Sequence, residues 1–186
     1  MTGLSRAGFV LAGGGSSRMG RDKAMLPLGG ETMLARIARL VRSVAGSAAI
    51  LGPPERYAAL GYPVIADPFP GCGPIAGVYS ALSLTAADWN LIVACDMPDL
   101  TPDLLEELFC AAARSGADAA VPSSAAGLDP LCAVYHRRLA ARAACAISRK
   151  IFKMHDFLST LTLELVPVAD AAPLKNINTP EEWTAR

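Results

Sequence analysis

The chain has 186 residues, of which 52% are hydrophobic and 18% charged, and its 17 basic residues balance 17 acidic ones. This length suits one α/β domain, so we expect a single domain over residues 1–186, and the composition excludes a disordered or collagen-like chain. Because the net charge is zero, no long-range field favours nucleic acid or an anionic membrane, and any phosphate site must be built locally.

Cysteine usage and the first residues both favour a cytoplasmic protein. The five cysteines are odd in number and contain no C-x-x-C pair, which fits neither a disulfide framework nor a zinc site. Residues 1–8 lack the apolar core of a signal peptide, and no apolar run approaches membrane-spanning length. We therefore expect a reducing cytosol, with no membrane and no nucleic-acid partner.

Predicted strands and helices alternate along the chain. A short apolar run that glycines stop predicts the first strand, and Thr32, placed as an N-cap before apolar residues at helical spacing, predicts the first long helix. The predicted strands are 9–12, 48–51, 64–65, 89–95, 117–121, 130–135 and 162–168. The helices that follow the first are predicted at 55–60, 74–84, 103–113, 137–147 and 151–161. This order predicts a three-layer, Rossmann-like α/β fold with a mostly parallel sheet and ligands at the carboxyl ends of its strands.

Residues 13–23, called here the glycine-rich segment, contain four glycines and three cations. Glycines let backbone N–H groups approach a triphosphate, and Arg18 and Lys23 supply positive charge for oxygens that gain charge in phosphoryl transfer. Arg21 and Asp22 stand where a Walker A motif needs Lys and Ser or Thr, and Arg18 replaces the third glycine of a dinucleotide fingerprint. A tight turn would explain the glycines alone, but the flanking charges favour an anion site.

Asp96 follows the apolar run 91–95 directly, so it is expected at the carboxyl end of a buried strand. A carboxylate there can hold Mg²⁺, which bridges phosphate oxygens in nucleotidyl transfer. The alternative is a cap on the next helix, although Thr101 is better placed for that role. The residues alone leave both interpretations open.

The pattern Leu-Ala-Gly-Gly-x-Ser-x-Arg-Met-Gly-x-Asp-Lys at 11–23, followed by Leu26-Pro27, resembles the signature of the molybdenum cofactor guanylyltransferase family. Cys-Asp-x-Pro at 95–98 is similar to that family's metal-binding motif. The resemblance runs from Gly8 to Trp183 and implies the nucleotidyltransferase type of fold, with Mg²⁺ on Asp96. The nucleotide-binding residues that it implies are Leu11, Ala12, Gly13, Gly14, Lys23, Asp67, Asp96 and Asn176.

Gly13 is the residue that is expected to determine which nucleotide binds. Relatives that use CTP carry Ala at this position, so the resemblance implies GTP as the substrate. The stretch 50–53 lacks the Asn or Ser that some relatives place near the base. Guanine recognition is then expected to rest mainly on the backbone of residues 11–13.

Three further segments resemble the family in part. Asp67 is followed by Gly-Pro-Ile-Ala-Gly at 73–77, and the resemblance implies that it contributes to nucleotide binding. Residues 176–180 resemble an Asn-x-Asn-Thr-Pro motif, in which Asn178 is a weaker site candidate than Asn176. Asp129 stands where many relatives carry His or Gln before Pro, which leaves the pterin contacts open. The cations of 149–153 could meet the pterin phosphate, although a solvated helix face is the favoured interpretation.

The resemblance implies transfer of GMP from GTP to molybdenum-molybdopterin, giving molybdopterin guanine dinucleotide and pyrophosphate. Lys23, Arg18 and Asp96 are the implied catalytic residues, and no general base is needed because a phosphate monoester is already largely dianionic near neutrality. GTP and molybdopterin are the expected partners, with transient contacts to cofactor biosynthesis or acceptor proteins. The alternatives are a cytidylyltransferase or sugar-phosphate nucleotidyltransferase on the same fold, and a non-catalytic nucleotide-binding protein that delivers the cofactor.

Overall fold

An eight-stranded sheet lies at the centre of the structure, a computed structural model that describes residues 5–13 and 22–177. The strands of the structure are β1 (Arg6–Leu11), β2 (Pro27–Leu28), β3 (Glu31–Thr32), β4 (Ala49–Leu51), β5 (Val64–Ile65), β6 (Trp89–Ala94), β7 (Ala119–Ser124), β8 (Gly127–Leu128), β9 (Cys132–His136) and β10 (Leu163–Pro167). Strands β2 and β3 form a separate two-stranded sheet, and the other strands form the central one. The α-helices are α1 (Met33–Ala45), α2 (Pro54–Tyr57), α3 (Pro74–Leu84), α4 (Pro102–Ser115), α5 (Ala140–Ser148) and α6 (Met154–Leu158).

The sheet has the order β10-β7-β9-β6-β1-β4-β5, with β8 paired to β7. Strand β1 runs parallel to both β4 and β6, β4 runs parallel to β5, and β7 runs parallel to β10. Strand β9 is antiparallel to its neighbours β6 and β7. The predicted mostly parallel sheet is confirmed, and β9 enters the sheet at the edge where the parallel strands leave it.

Helices cover both faces of the sheet because successive side chains of its central strands point to opposite sides. Val10 and Val93 pack with α1 and α4 on one face, whereas Phe9 and Ile92 pack with α3, α5 and α6 on the other. The predicted three-layer α/β architecture is therefore confirmed. In residues 5–13 and 22–177, none of the helices has the length and apolar character that a membrane crossing requires.

Two threonines set the starts of the long helices α1 and α4. The Thr32 side chain accepts a hydrogen bond from the Ala35 N–H at 3.2 Å, as predicted for the N-cap of α1. Thr101 accepts from the Leu104 N–H at 3.4 Å, and Pro102 occupies the first turn of α4. Side-chain acceptors at these positions satisfy N–H groups that have no partner within the helix.

The predicted helix over 151–161 is wrong at its start. Helix α5 ends at Ser148, and α6 begins only at Met154. Lys150 takes a left-handed φ of 60°, and the Ile151 N–H donates to the Ala146 carbonyl at 2.9 Å, which is the pattern of a Schellman helix end. Glycine usually marks this end, so a lysine there gave no signal. The cations of 149–153 accordingly lie in a connection and form no helix face.

Asp118 joins three segments at the amino end of β7, which is the edge of the sheet opposite the carboxyl end of β6. Its carboxylate accepts from Arg138 Nε at 3.0 Å, Arg142 Nη1 at 3.2 Å and the Thr162 N–H at 3.0 Å. Burial alone would raise the pKa of Asp118, but the Thr162 N–H and the two guanidinium groups lower it below its usual value. The Asp118 carboxylate is therefore a stabilising group of the fold.

We expect Asp118→Asn to lower the free energy of unfolding at pH 7 by about 2 kcal/mol, because partly exposed guanidinium groups lose a charged acceptor. Since the folded pKa is lowered, this stabilisation is present above the ordinary aspartate pKa and is lost as pH falls through the lowered value. Urea unfolding of both proteins at pH 7 and pH 3 checks this, and an unchanged midpoint at pH 7 would contradict it.

Candidate active site

The carboxyl ends of four parallel strands meet at one edge of the sheet. Backbone hydrogen bonds link these ends: Ala12 N–H to the Leu51 carbonyl at 2.8 Å, Gly52 N–H to the Ile65 carbonyl at 2.9 Å, and Cys95 N–H to the Leu11 carbonyl at 3.1 Å. The segments that follow β1, β4, β5 and β6 carry Gly13, Gly52, Asp67 and Asp96. The fold therefore places most of the sequence-predicted site along a single edge.

Lys23, Asp96 and Ile177 are joined at this edge although they are far apart in sequence. Lys23 Nζ donates to the Ile177 carbonyl at 3.3 Å, and the Ile177 N–H donates to the Asp96 carbonyl at 2.9 Å. Asn176 precedes Ile177, so the described start of the Asn-x-Asn motif lies beside both charged residues. Residues 176 and 177 are not in a strand, and the link between Ile177 and Asp96 is a backbone hydrogen bond.

Two side-chain oxygens in this cluster are buried without a hydrogen-bond partner in the part of the chain that the structure describes. They are Asp96 Oδ1 and Asn176 Oδ1, and the third such atom, Asn90 Oδ1, lies toward the other end of β6. Buried polar atoms in proteins almost always have partners. Carboxylate and amide oxygens are ligands that a hard cation prefers, so Asp96 with Asn176 fits Mg²⁺.

Asp96 has an environment that disfavours its own charge. Burial raises its pKa, while a backbone hydrogen bond and the Lys23 ammonium act in the opposite direction. Within the described ranges no group of three or more His, Cys, Asp or Glu side chains could hold a metal. A cation here would take its remaining ligands from phosphate oxygens and water, as Mg²⁺ commonly does.

Lys23 is held by two residues that were not among the predicted site residues, Asp22 and Tyr57. Asp22 Oδ1 accepts from the Ala24 N–H at 3.1 Å and so caps the short 3-10 helix Lys23–Met25. Tyr57 Oη lies 2.8 Å from Asp22 Oδ2 and 3.0 Å from the Ala12 carbonyl oxygen. Asp22 belongs to a recognised pattern, but Tyr57 lies 34 positions beyond Lys23 and its contribution depends on tertiary packing alone.

Asp67 lies at the same edge but outside the cluster of charged residues. It is exposed, and its Oδ1 accepts from the Phe69 N–H at 2.8 Å, which shapes the turn toward α3. Gly77 of α3 packs directly on β1, since a Cβ at residue 77 would lie 2.3 Å from Leu11 Cδ2. Among the described residues no hydrogen bond links Asp67 to Lys23 or Asp96. A nucleotide role for Asp67 stays a prediction.

The start of β9 brings Asp129 to the site. The Ala94 N–H donates to the Leu131 carbonyl at 2.7 Å, and the Cys132 N–H donates to the Asp129 carbonyl at 3.2 Å. Burial raises the pKa of Asp129, and His155 acts in the opposite direction. Three predicted positions, Gly14, Arg18 and Asn178, lie outside the described residues.

Comparison with known proteins identifies the family to which the chain belongs. The family model described as MobA-like NTP transferase domain matches residues 8–162. A relative from Synechococcus elongatus, named "Probable molybdenum cofactor guanylyltransferase", is 36% identical, and the alignment covers 98% of each chain.

Solved structures have the same fold. The molybdopterin-guanine dinucleotide biosynthesis protein A from Archaeoglobus fulgidus is 26% identical, with a TM-score of 0.82 over 96% of this chain and 95% of its own. The CTP complex of CMP:2-keto-3-deoxy-manno-octonic acid synthetase is 14% identical, with a TM-score of 0.78 over 97% of this chain and 96% of its own. The second likeness concerns the fold alone.

Proposed function

This chain belongs to the MobA-like NTP transferase family, and we propose that it transfers GMP from GTP to molybdenum-molybdopterin, forming molybdopterin guanine dinucleotide and pyrophosphate. The chain is a nucleotidyltransferase. What we propose beyond this is that its substrates are GTP and the pterin acceptor. The observation that carries the proposal is the pair of unpartnered buried oxygens of Asp96 and Asn176 beside the Lys23 ammonium. The names of the relatives supply the acceptor.

The proposed reaction is an in-line displacement at the α-phosphorus of GTP. The terminal phosphate oxygen of molybdopterin forms the new bond, and the bond to the bridging oxygen breaks to release pyrophosphate. Lys23, together with Arg18, stabilises the negative charge that grows on the departing pyrophosphate. Bound at Asp96 and Asn176, Mg²⁺ would offset charge on the phosphates. Because the attacking phosphate is already anionic, the residues mainly bind and orient the two substrates.

We place the nucleotide base beside residues 11–13, following the resemblance to the family. Leu11 and Ala12 are engaged by neighbouring strands through their backbone groups, and Gly13 follows them at the open edge of the sheet. Among the described residues, a Cβ at residue 13 would meet nothing nearer than Gly52 Cα and the Leu51 carbonyl oxygen, both at 3.9 Å. These residues leave room for a methyl group, whereas a bound nucleotide base would oppose it.

We expect Gly13→Ala to fold as the wild type does, because the φ of Gly13 is not positive and the added methyl group is not crowded. It should lower kcat/KM for GTP on the order of tenfold, since the methyl group approaches the bound base. The ratio of kcat/KM for GTP to that for CTP, measured in both proteins, checks this. An unchanged ratio with unchanged thermal stability would remove residue 13 from base selection.

The test of the proposed function is identification of the product. The purified protein is incubated with GTP, Mg²⁺ and molybdopterin-loaded acceptor, and the pterin product is measured by mass spectrometry. The expected product has the mass of molybdopterin plus GMP, and it appears together with pyrophosphate. A cytidylylated product from CTP would favour the cytidylyltransferase alternative, and tight GTP binding without any product would favour the non-catalytic delivery protein.

We further propose that the protein acts in the cytoplasm as a single nucleotidyltransferase domain, in transient contact with proteins that supply or receive the cofactor. The neutral overall charge supports this proposal, because it favours brief contacts over a stable complex with nucleic acid or a membrane.

A further inference from the structure

We propose that Tyr57 is a positioning residue that holds Lys23 for nucleotidyl transfer by linking the two ends of the glycine-rich segment through one hydroxyl group. The inference rests on the proposed nucleotidyl-transfer role of Lys23. Tyr57 Oη lies 3.0 Å from the carbonyl oxygen of Ala12, which precedes the segment, and 2.8 Å from Oδ2 of Asp22, next to Lys23 at its end. The single hydroxyl hydrogen therefore lies between two acceptors, one on each side of the segment, and is shared between them.

The hydrophobic core holds the Tyr57 ring in place. The side chain is only 1% exposed and lies in the same core as Val10 and Ile50. Burial, followed by the hydrogen bond to Asp22, raises the pKa of the Tyr57 hydroxyl well above its usual value. The hydroxyl therefore keeps its proton at physiological pH and remains a donor to the Asp22 carboxylate.

Gly52 makes this placement of the ring sterically feasible. A Cβ at residue 52 would lie 2.9 Å from Tyr57 Cε2, closer than side-chain carbons approach each other. Gly52 belongs to the stretch 50–53, which lacks the Asn or Ser of some relatives. A side chain at residue 52 and the buried Tyr57 ring would compete for the same space.

The link reaches Lys23 through Asp22. Oδ2 of Asp22 faces Tyr57, with Arg56 Nη1 3.8 Å away, while Oδ1 accepts from the Ala24 N–H at 3.1 Å. This cap fixes the first turn of the short helix in which Lys23 lies. On its other side Lys23 Nζ donates to the Ile177 carbonyl at 3.3 Å. Lys23 is thus held at its backbone by the Tyr57–Asp22 pair and at its ammonium by the segment beside Asp96.

Loss of the hydroxyl should affect the chemical step more than substrate binding. Lys23 acts on charge that grows in the transition state, and interactions of that kind appear in kcat rather than in KM. We expect Tyr57→Phe to lower kcat roughly tenfold or more, because small displacements of a catalytic group are costly. KM for the nucleotide should stay within about twofold.

The experiment measures pyrophosphate release by the full chain with Mg²⁺, acceptor and whichever of GTP, CTP or ATP the wild type uses. Tyr62→Phe is the matched control, because the Tyr62 ring packs 5.3 Å from the Arg42 guanidinium, away from the glycine-rich segment. Tyr62→Phe should keep wild-type kcat. Turnover with CTP in place of GTP would overturn the proposed function but leave this inference standing, and no turnover with any nucleotide would overturn both.

A double-mutant cycle separates positioning from a merely structural role. Asp22→Asn keeps an oxygen that can cap Ala24 but removes the acceptor that faces Tyr57. If Tyr57 acts through Asp22, the double variant loses no more kcat than the worse single variant. Losses that multiply, or a Tyr57→Phe protein with lower thermal stability and unchanged kcat, would overturn the proposal.

Discussion

Asp96→Asn will lower kcat for pyrophosphate release about a hundredfold or more, while the unfolding temperature at pH 7 without divalent cations stays the same or rises. The rate falls because the carboxylate proposed to hold Mg²⁺ is lost, and the stability does not fall because this carboxylate is buried. Burial raises the pKa of Asp96, so the ionised carboxylate is disfavoured in the folded chain, and the neutral amide removes that penalty. Since the folded pKa is raised, the penalty grows as pH rises through it, and the variant gains relative stability in that direction.

Divalent cations extend the test of Asp96. Mg²⁺ should raise the unfolding temperature of the wild type by binding the folded state, and this increase should be lost in Asp96→Asn. Asp118→Asn is the matched control: it changes another largely buried aspartate at the opposite edge of the sheet, so it should lose stability and keep kcat. Wild-type rates in Asp96→Asn, or an equal Mg²⁺ effect in both proteins, would contradict the assignment of Asp96.

Lys23→Met will also lower kcat about a hundredfold, because a fixed positive charge beside the departing pyrophosphate is lost. The unfolding free energy should fall by about 1 kcal/mol for the loss of the hydrogen bond to the Ile177 carbonyl. The ammonium also lowers the pKa of Asp96. Without it that pKa rises, so the residual activity should be lost at a higher pH on the acid side than in the wild type.

The measurement is the pH dependence of kcat for the wild type and Lys23→Met, each with saturating nucleotide and Mg²⁺. Lys175→Met is the control, because Lys175 is exposed and close in sequence to Asn176 but is not the lysine that bonds Ile177. It should keep both the rate and the acid limb. An acid limb of Lys23→Met that coincides with the wild-type limb would contradict the electrostatic coupling of Lys23 and Asp96.

Local patterns predicted most of the elements. Helix α3 runs over Pro74–Leu84 as predicted, and Thr32 and Thr101 cap the helices assigned to them. These patterns involve residues that are close in sequence, so the structure they predict does not depend on tertiary contacts. The β2–β3 hairpin was missed, although Gly29-Gly30 between short strands is a recognised turn signal.

Pairing direction could not be predicted in this way. The apolar run that forms β9 is compatible with either orientation, and its antiparallel pairing with β6 depends on where the chain returns to the sheet. That orientation carries Asp129 to the edge that holds Asp96. Tyr57 was missed for a related reason: no local pattern connects it to Lys23, and only the buried hydroxyl between Ala12 and Asp22 reveals its role.

The rule for parallel sheets predicts that motif residues at strand ends lie near one another, because these ends meet at one edge of the sheet. Lys23, Asp96 and Asn176 come from three distant segments and lie in one cluster. The unpartnered oxygens of Asp96 and Asn176 are of the kind that a hard cation prefers as ligands. Asp67 follows the same rule of placement, yet it lies apart from the cluster. Strand order accounts for this, since β5 is at the end of the sheet and β6 is near its middle.

The most direct test of the central claim is pyrophosphate release from GTP, CTP and ATP in turn, with Mg²⁺ and molybdopterin-loaded acceptor, against controls without acceptor. The proposed function predicts acceptor-dependent release with GTP alone. Preference for CTP or ATP, or no release with any nucleotide, would contradict it.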